Sequence, residues 1–582
     1  MNPFEQVRAD LLRALEACQA AGELPGSLAL ERVTVEPPRD PAHGDAATNA
    51  ALILAKPAGL APMALGELIA ARLRTVDDIA AVELARPGFI NLRLSDEFWR
   101  AQVEVALAAG SDYGAADLGH GRQVNVEYCS ANPTGPLHVG HGRGTAFGDA
   151  LANLLAKMGF AVTREYYVND SGAQVDVLAR SVHYRYLEAL GEAPPAPPAD
   201  WYPAEELRAI GQAIADEDGD RWRHATEADW LSVFRSRAVS AVLALIREDL
   251  AALGVHHDVF TSEAALARDG RIEQTLEQLE RQGLVYEGVL PPPKGRPSAD
   301  WRPRPQPLFR ATAFGDDVDR PLKRAGGQWT YLAADLAYHL DKIQRGAEEL
   351  IDVWGADHGG YIKRLQAGVR ALSEDRVALD VKICQLVNLM DRGEPLRMSK
   401  RAGRTINLRD VIDEVGKDVV RFIMLTRKND APLEFDLAKV TEQSRDNPVW
   451  YVQYAHARIC SVRRHAAAAG IEVNHGALAG APLGYLAEPE ELALIRQMAA
   501  WPRTLEAAAT HHEPHRIAFY LGDLAASFHA LWNQGKERPD LRFLRSDQPA
   551  LSQARLAMIT AVQIVLASGL ELIGVTPVEE MV

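Results

Sequence analysis

Hydrophobic and polar positions along this 582-residue chain fall into three successive regimes. Residues 1 to about 112 open with MNPFEQVRADLLRALEACQAAGEL, whose apolar residues recur at helical spacing with acids among them. A proline-rich, strand-like stretch follows at 33–41, then a second helical pattern at 46–73, and RPGFINLRL alternates as an edge strand does. The pattern predicts a small α/β module. From 113 to 440 short apolar runs alternate with helical ones, the rhythm of a doubly wound, Rossmann-like parallel sheet. Strands are expected at 123–128, 161–168 and 350–354. Long helical patterns near 176–190 and 229–253 break the alternation, so about 180–345 reads as an insertion between two halves of the sheet. Within it, VLPPPKGRPSADWRPRPQP is too rich in proline for a helix or inner strand and is expected as an exposed hairpin or loop. From 441 to 582 the pattern is helical throughout, with Pro and Gly between segments, which predicts an all-α bundle of four or five helices.

Composition adds limits. Hydrophobic residues make up 47% and charged residues 24%, ordinary for a soluble globular protein. The acids in the first helix argue against a signal peptide, and no long run reads as uniformly apolar, so no membrane span is expected. The four cysteines, Cys18, Cys129, Cys384 and Cys460, are far apart and form no CxxC pair. That spacing argues against a disulfide framework and a structural zinc, and favours the cytoplasm. A net charge of −16 points away from a polyanion partner, although a local basic patch decides that question, not the total.

The chemistry concentrates in two motifs. In NVEYCSANPTGPLHVGHGRGTAFGDALANLLAKMG a strand runs into a Pro/Gly turn, and His138, Val139, Gly140 and His141 open a helix. The first turn of a helix offers free N–H groups and a positive dipole end, suited to phosphate oxygens. Gly140 allows a ligand close to the backbone, and His138 and His141, three apart, can present both rings on one side. There they could donate to charge building on an attacked α-phosphate. An isolated HxxH is more often incidental or core, and a zinc pair would favour i and i+4 spacing with a third ligand. The second motif is LRMSKRAG, residues 396–403, with Gly393 and Gly403 flanking a cationic core. Lys400 is a compact charge fit for departing β- and γ-phosphates. A basic loop by itself is usually solvated surface; its pairing with HVGH changes the odds.

HVGH and RMSKRAG resemble the HIGH and KMSKS signatures of class I aminoacyl-tRNA synthetases. The surrounding segments VEYCSANPTGPLHVGHGRGTAFGDALANLL, YYVNDSGAQ, TYLAADLAYHLDK, WGADHGGYIKRL and NPVWYVQYAHARI resemble the bacterial-type arginyl family. HGDAATNAALILAK and RPGFINLRL resemble its amino-terminal domain, so the likeness covers nearly the whole chain. Arg397 stands where the general signature has its first lysine, while Lys400 keeps the place of the second.

The resemblance implies His138, His141 and Lys400 as catalytic residues, and an ATP site of His138, Gly140, His141, Asp357, His358, Met398, Ser399 and Lys400. It implies an arginine site of Glu127, Asn132, Tyr331 and Asp335, with Glu127 and Asp335 at the charged groups, Tyr331 at the guanidinium and Asn132 at the amino-acid end. A planar guanidinium calls for such carboxylates, although an isolated acid is usually a surface residue. The family likeness further implies a tRNA-contacting module at 1–112, a catalytic domain at 113–440 and an anticodon-binding bundle at 441–582. In that bundle Arg458, Arg463 and Arg464 would meet phosphates, or form a solvated face with its many acids. The reaction implied is arginyl-adenylate formation from L-arginine and ATP, with Mg2+ carried by the phosphates, then transfer to the terminal ribose of tRNA-Arg. Activation would wait for tRNA, and the enzyme would be a monomer. Two rivals stay open: a small-acid adenylyltransferase sharing HxGH, and an idle relative kept for RNA binding.

Overall fold

The structure is a computed structural model and describes residues 2–202, 205–290, 305–324, 326–396, 406–444 and 446–581. It forms two compact units, one of residues 119–442 with 573–575, the other of 1–118, 443–572 and 576–582.

The first unit is built on a five-stranded parallel sheet. Its strands are β1 (Gln123–Glu127), β2 (Ala161–Val168), β3 (Val259–Ser262), β4 (Glu349–Gly355) and β5 (Ala378–Cys384), in the spatial order β5-β4-β1-β2-β3. The order reverses between β1 and β4, and in such sheets ligands bind beyond the carboxyl ends of the strands at that reversal. Helix α1 (Val139–Lys157) connects β1 to β2, and α2 (Tyr331–Gln344) leads into β4. Leu332, Leu336 and Leu340 on one stripe of α2 pack with Leu350, Leu365, Val369 and Leu379. Of the stretch at about 180–345 read largely as an insertion, β3 belongs to the sheet and completes its edge. With only four residues, VFTS, β3 is too short to stand out after the long helix Glu227–Ala252. Most of the proline-rich stretch lies outside the described residues, but its flanks Val285–Gly288 and Gln306–Phe309 pair antiparallel.

In the second unit, the amino-terminal sheet runs Val35–Glu36, Ala46–Thr48, Phe89–Leu94, Ile79–Ala85, all antiparallel. RPGFINLRL therefore supplies an internal strand and not an edge, since Pro87 precedes the paired residues and removes no ladder donor. The expected helix at 46–73 is a strand, Ala46–Thr48, followed by helices Ala50–Ala58 and Pro62–Leu73 bent by 117°. Gly59, with φ of 68°, caps the first helix and Pro62 starts the second. The carboxyl-terminal part has five long helices: Pro448–Ala468, Pro489–Ala499, Trp501–His511, His515–Glu537 and Pro549–Leu572. The helix expected across ELALIRQMAAWPRTLEAAA is two, with Pro502 in the first turn of the second. Contrary to the expectation from the sequence, Pro549–Leu572 is long and apolar enough to cross a membrane by composition. Within this fold, however, 67% of its most apolar window is buried, so it reads as a core helix. The four cysteines are free and buried.

Candidate active site

The start of α1 is closed by its own two histidines. The backbone N–H of Gly140 donates to His138 Nδ1 at 3.1 Å, and that of His138 donates to His141 Nδ1 at 3.2 Å. The rings stack with centroids 3.7 Å apart. A ring nitrogen that accepts carries no proton, so this geometry puts the N–H of each ring on Nε2. The HVGH sequence thus caps its own helix and orients two donors together at the helix N-terminus, beyond the carboxyl end of β1. The preceding turn is held by Asp249, whose Oδ2 accepts the N–H of Leu137 at 3.2 Å; burial raises the pKa of this carboxyl. Farther along α1, the buried Arg143 donates to the carbonyls of Gln385, Lys428 and Ala431.

Met398, Ser399 and Lys400, with Arg397, lie outside the described residues. From Ile406 the described chain lies against HVGH: Val139 N–H donates to the Ile406 carbonyl at 3.3 Å, and Leu408 N–H to the Leu137 carbonyl at 2.7 Å. His138 and Asn407 form the antiparallel bridge between.

Beneath the crevice a row of acids crosses three neighbouring strands. Glu127 of β1 is in register with Asp352 of β4 on one side and Glu165 of β2 on the other, so the three side chains share one face of the sheet. All three are buried. Helix α2 brings the opposing charges: Lys342 Nζ donates to Glu127 Oε2 at 2.6 Å and to Asp352 Oδ1 at 3.0 Å. Arg345, just past the helix, donates to both oxygens of Glu165 at 2.7 Å. His339 Nε2 lies 2.9 Å from the other oxygen of Asp352. Burial pushes the Glu127 carboxyl up and the nearby Asp352 charge adds to this, with Lys342 opposing. Burial also works against ionised Asp352, but Lys342 and His339 outweigh it and hold its pKa down to about 2. The fully buried Lys342 stays charged against its own desolvation because Asp352 and Glu127 flank it.

The four arginine-site candidates are placed unevenly. Glu127 ends β1, with its second oxygen accepting from Ser130 Oγ at 2.9 Å. Asp335 lies one turn after Tyr331 on α2, accepts the Tyr361 hydroxyl at 2.5 Å, and is pushed up to about 6 by burial. Tyr331 is 71% exposed at the helix start, where Arg324 stands over its ring at 4.9 Å. Asn132 is exposed on the loop after β1. Asp357 and His358, in the turn after β4, are exposed and 3.4 Å apart. As a metal site, the described residues offer one compact trio, Glu127, His339 and Asp352. Lys342 already bridges two of these carboxylates, in the place a cation would take.

Comparison with known proteins gives the family. The families described as arginyl tRNA synthetase N terminal domain, tRNA synthetases class I (R) catalytic domain, and DALR anticodon binding domain match residues 5–94, 102–205 and 452–581. An arginine–tRNA ligase of Rhodospirillum rubrum is 57% identical, and one of Ruegeria pomeroyi 56%, each over 100% of both chains. The chain belongs to the arginyl-tRNA synthetase family. The solved arginyl-tRNA synthetase of Thermus thermophilus shares the fold, with a TM-score of 0.71 at 22% identity, covering 99% of this chain and 100% of that one. Within this arginyl-tRNA synthetase fold, sequence reasoning had not singled out Glu165, His339, Lys342, Asp352 or Tyr361. A signal for the first four was present: acids at strand positions that should be apolar, and His339 and Lys342 three apart on a largely apolar helix, with Arg345 three positions on.

Proposed function

We propose that this chain is a class I arginine–tRNA ligase that activates L-arginine with ATP and charges tRNA-Arg. It would work as a cytoplasmic monomer with Mg2+ carried by the nucleotide. One observation carries the reading: Ile406, Asn407 and Leu408, a few positions after the MSK segment in sequence, pair with the HVGH turn. Ile406 is six positions after Lys400, a span of at most about 22 Å for a fully extended chain. That reach in the sequence is compatible with Lys400 serving the same nucleotide as the two histidine Nε2 donors. Arginine's carboxylate would attack the α-phosphorus there while the histidines stabilise the phosphate charge and Lys400 the departing pyrophosphate. The protein need supply no covalent nucleophile; placement and charge do the work. Asp335 and Glu127 at the strand-order reversal would receive the guanidinium side.

The test is ATP–pyrophosphate exchange with a panel of amino acids, with and without tRNA, followed by charging. The expected result is exchange with arginine alone, dependent on tRNA. Exchange with a non-amino acid, or ATP hydrolysis without charging, overturns the reading.

A further inference from the structure

Lys342 has no role in the mechanism so far, yet it is the most deeply placed cation of the site: its side chain has no exposed surface and its ammonium joins two carboxylates on adjacent strands. Buried ion pairs are weak sources of stability, because desolvating both charges offsets most of their attraction. A well-packed apolar residue would hold α2 on the sheet equally well. The geometry instead connects Lys342 to the substrate side. Glu127 ends β1, and its two oxygens accept from two different elements, Lys342 of α2 and Ser130 of the loop. Asp352, the other acceptor of Lys342, lies within β4 and has His339 on its second oxygen. With Lys342 in place the Glu127–Asp352 pair carries one uncompensated charge instead of two, and Glu127 has one orientation.

We propose that Lys342 is a positioning residue of the arginine site, fixing the Glu127 carboxylate at the strand end and occupying the point-charge position between Glu127 and Asp352. This rests on the functional reading above. It gives the two flanking acids different duties. Glu127 is a pre-aligned acceptor whose charge is largely spoken for, while Asp335, with only the Tyr361 hydroxyl on its carboxylate among the described residues, is the anion left for the incoming guanidinium. An ammonium-bearing amino acid would find its best counter-charges already bridged by the protein's own lysine.

The experiment compares wild type, Lys342→Met and the double variant Lys342→Met/Asp352→Asn, which restores the trio's net charge without restoring the contact to Glu127. Steady-state exchange gives KM for arginine and for ATP, and thermal unfolding reports folding. The expected result is a KM for arginine raised about tenfold or more in both variants, the loss of one charged hydrogen bond, with KM for ATP within about threefold. If the single variant does not fold, the double variant carries the comparison. Recovery of the arginine KM to within about threefold of wild type in the double variant would show that Lys342 only balances charge in the core, and would overturn the proposal. A wild-type chain inactive with arginine would overturn the functional reading itself, whereas an active wild type with an unchanged arginine KM in both variants removes the Lys342 assignment alone.

Discussion

Asp335 is a carboxylate under two opposed demands. Burial pushes its pKa to about 6, and the groups facing it are Tyr361, His339, Glu127 and Glu263, of which Glu127 and Glu263 raise it further while Tyr361 and His339 pull it back. Since the folded pKa lies above the ordinary 3.8, the ligand-free protein binds the proton more tightly than the unfolded chain does. Ionised Asp335 is therefore destabilising above pH about 6, and the penalty fades as pH falls toward about 4. Asp335→Asn should raise the thermal midpoint of the ligand-free protein near neutral pH and leave it unchanged near pH 4, which differential scanning fluorimetry across pH would read. Arginine binding needs the opposite state, since a guanidinium gains most from the ionised form. KM for arginine should rise by up to tenfold per pH unit below about 6, with KM for ATP as the control; a flat arginine KM across that window removes Asp335 from the pocket. Citrulline supplies a sharper comparison. It matches arginine's shape without the charge, so wild type should discriminate by about a hundredfold or more, the penalty of desolvating a carboxylate without its partner. Asp335→Asn should depress arginine use and narrow that gap. Equal activation of both by wild type would sink the assignment.

At the scale of the element, the HVGH turn shows why one part of the site was legible and another was not. A strand, a turn and an amphipathic helix leave periodic marks, and 161–168 and 350–354 read from apolar runs match β2 and the core of β4 closely. The histidines stood at a helix start, where sequence position alone implies exposed N–H groups. Register leaves no such mark: nothing in the spacing of Glu127, Glu165 and Asp352 says that three distant strands align them. The acids that Lys342 and Arg345 meet on the neighbouring strands are hidden for the same reason. Tyr331 and Asp335 are four positions apart, a spacing that sequence shows, whereas the Tyr361 hydroxyl on Asp335 comes from 26 residues away. The self-capping of α1 also separates two roles of each histidine. Asparagine places a side-chain oxygen near the Nδ1 position but has nothing at Nε2. His138→Asn should keep the thermal midpoint within a few degrees, because asparagine is a good N-cap, and His141→Asn likewise, because it keeps a side-chain acceptor near the His138 N–H. Each should lower the rate of adenylate formation by on the order of a hundredfold, the effect of removing one donor from developing oxyanion charge. A loss of activity matched by an equal loss of stability would mean the rings serve the helix only.

At the scale of the whole molecule, sequence pattern and compactness divide the chain differently. The pattern separates an amino-terminal α/β module from an all-helical carboxyl-terminal part by more than 300 residues, yet both lie in one compact unit. Trp501 Nε1 donates to the Tyr113 carbonyl at 3.2 Å, Arg100 Nε to the Leu486 carbonyl at 2.9 Å, and Arg496 pairs with Asp45 at 3.4 Å. Trp501 is wholly buried, and Leu505 lies beside Gly114, where an added Cβ would meet side-chain atoms of both residues at 2.9 Å. The 119–442 unit instead holds its own short return of chain, with Arg421 Nε donating to the Ile573 carbonyl at 2.8 Å. Removing residues 443–582 therefore strips the amino-terminal module of these contacts, and takes residues 573–575 from the sheet unit. In a 1–442 fragment, amide exchange should become fast across helix Asp96–Ala109, whose buried face includes Trp99, Val103 and Leu107, while β1, β2 and β4 stay protected. Charging should be lost, because the helices matching the DALR family are gone. Protection of Asp96–Ala109 equal to that in the full chain would show that the amino-terminal module folds without the helical part, and normal charging by the fragment would remove the bundle from tRNA recognition.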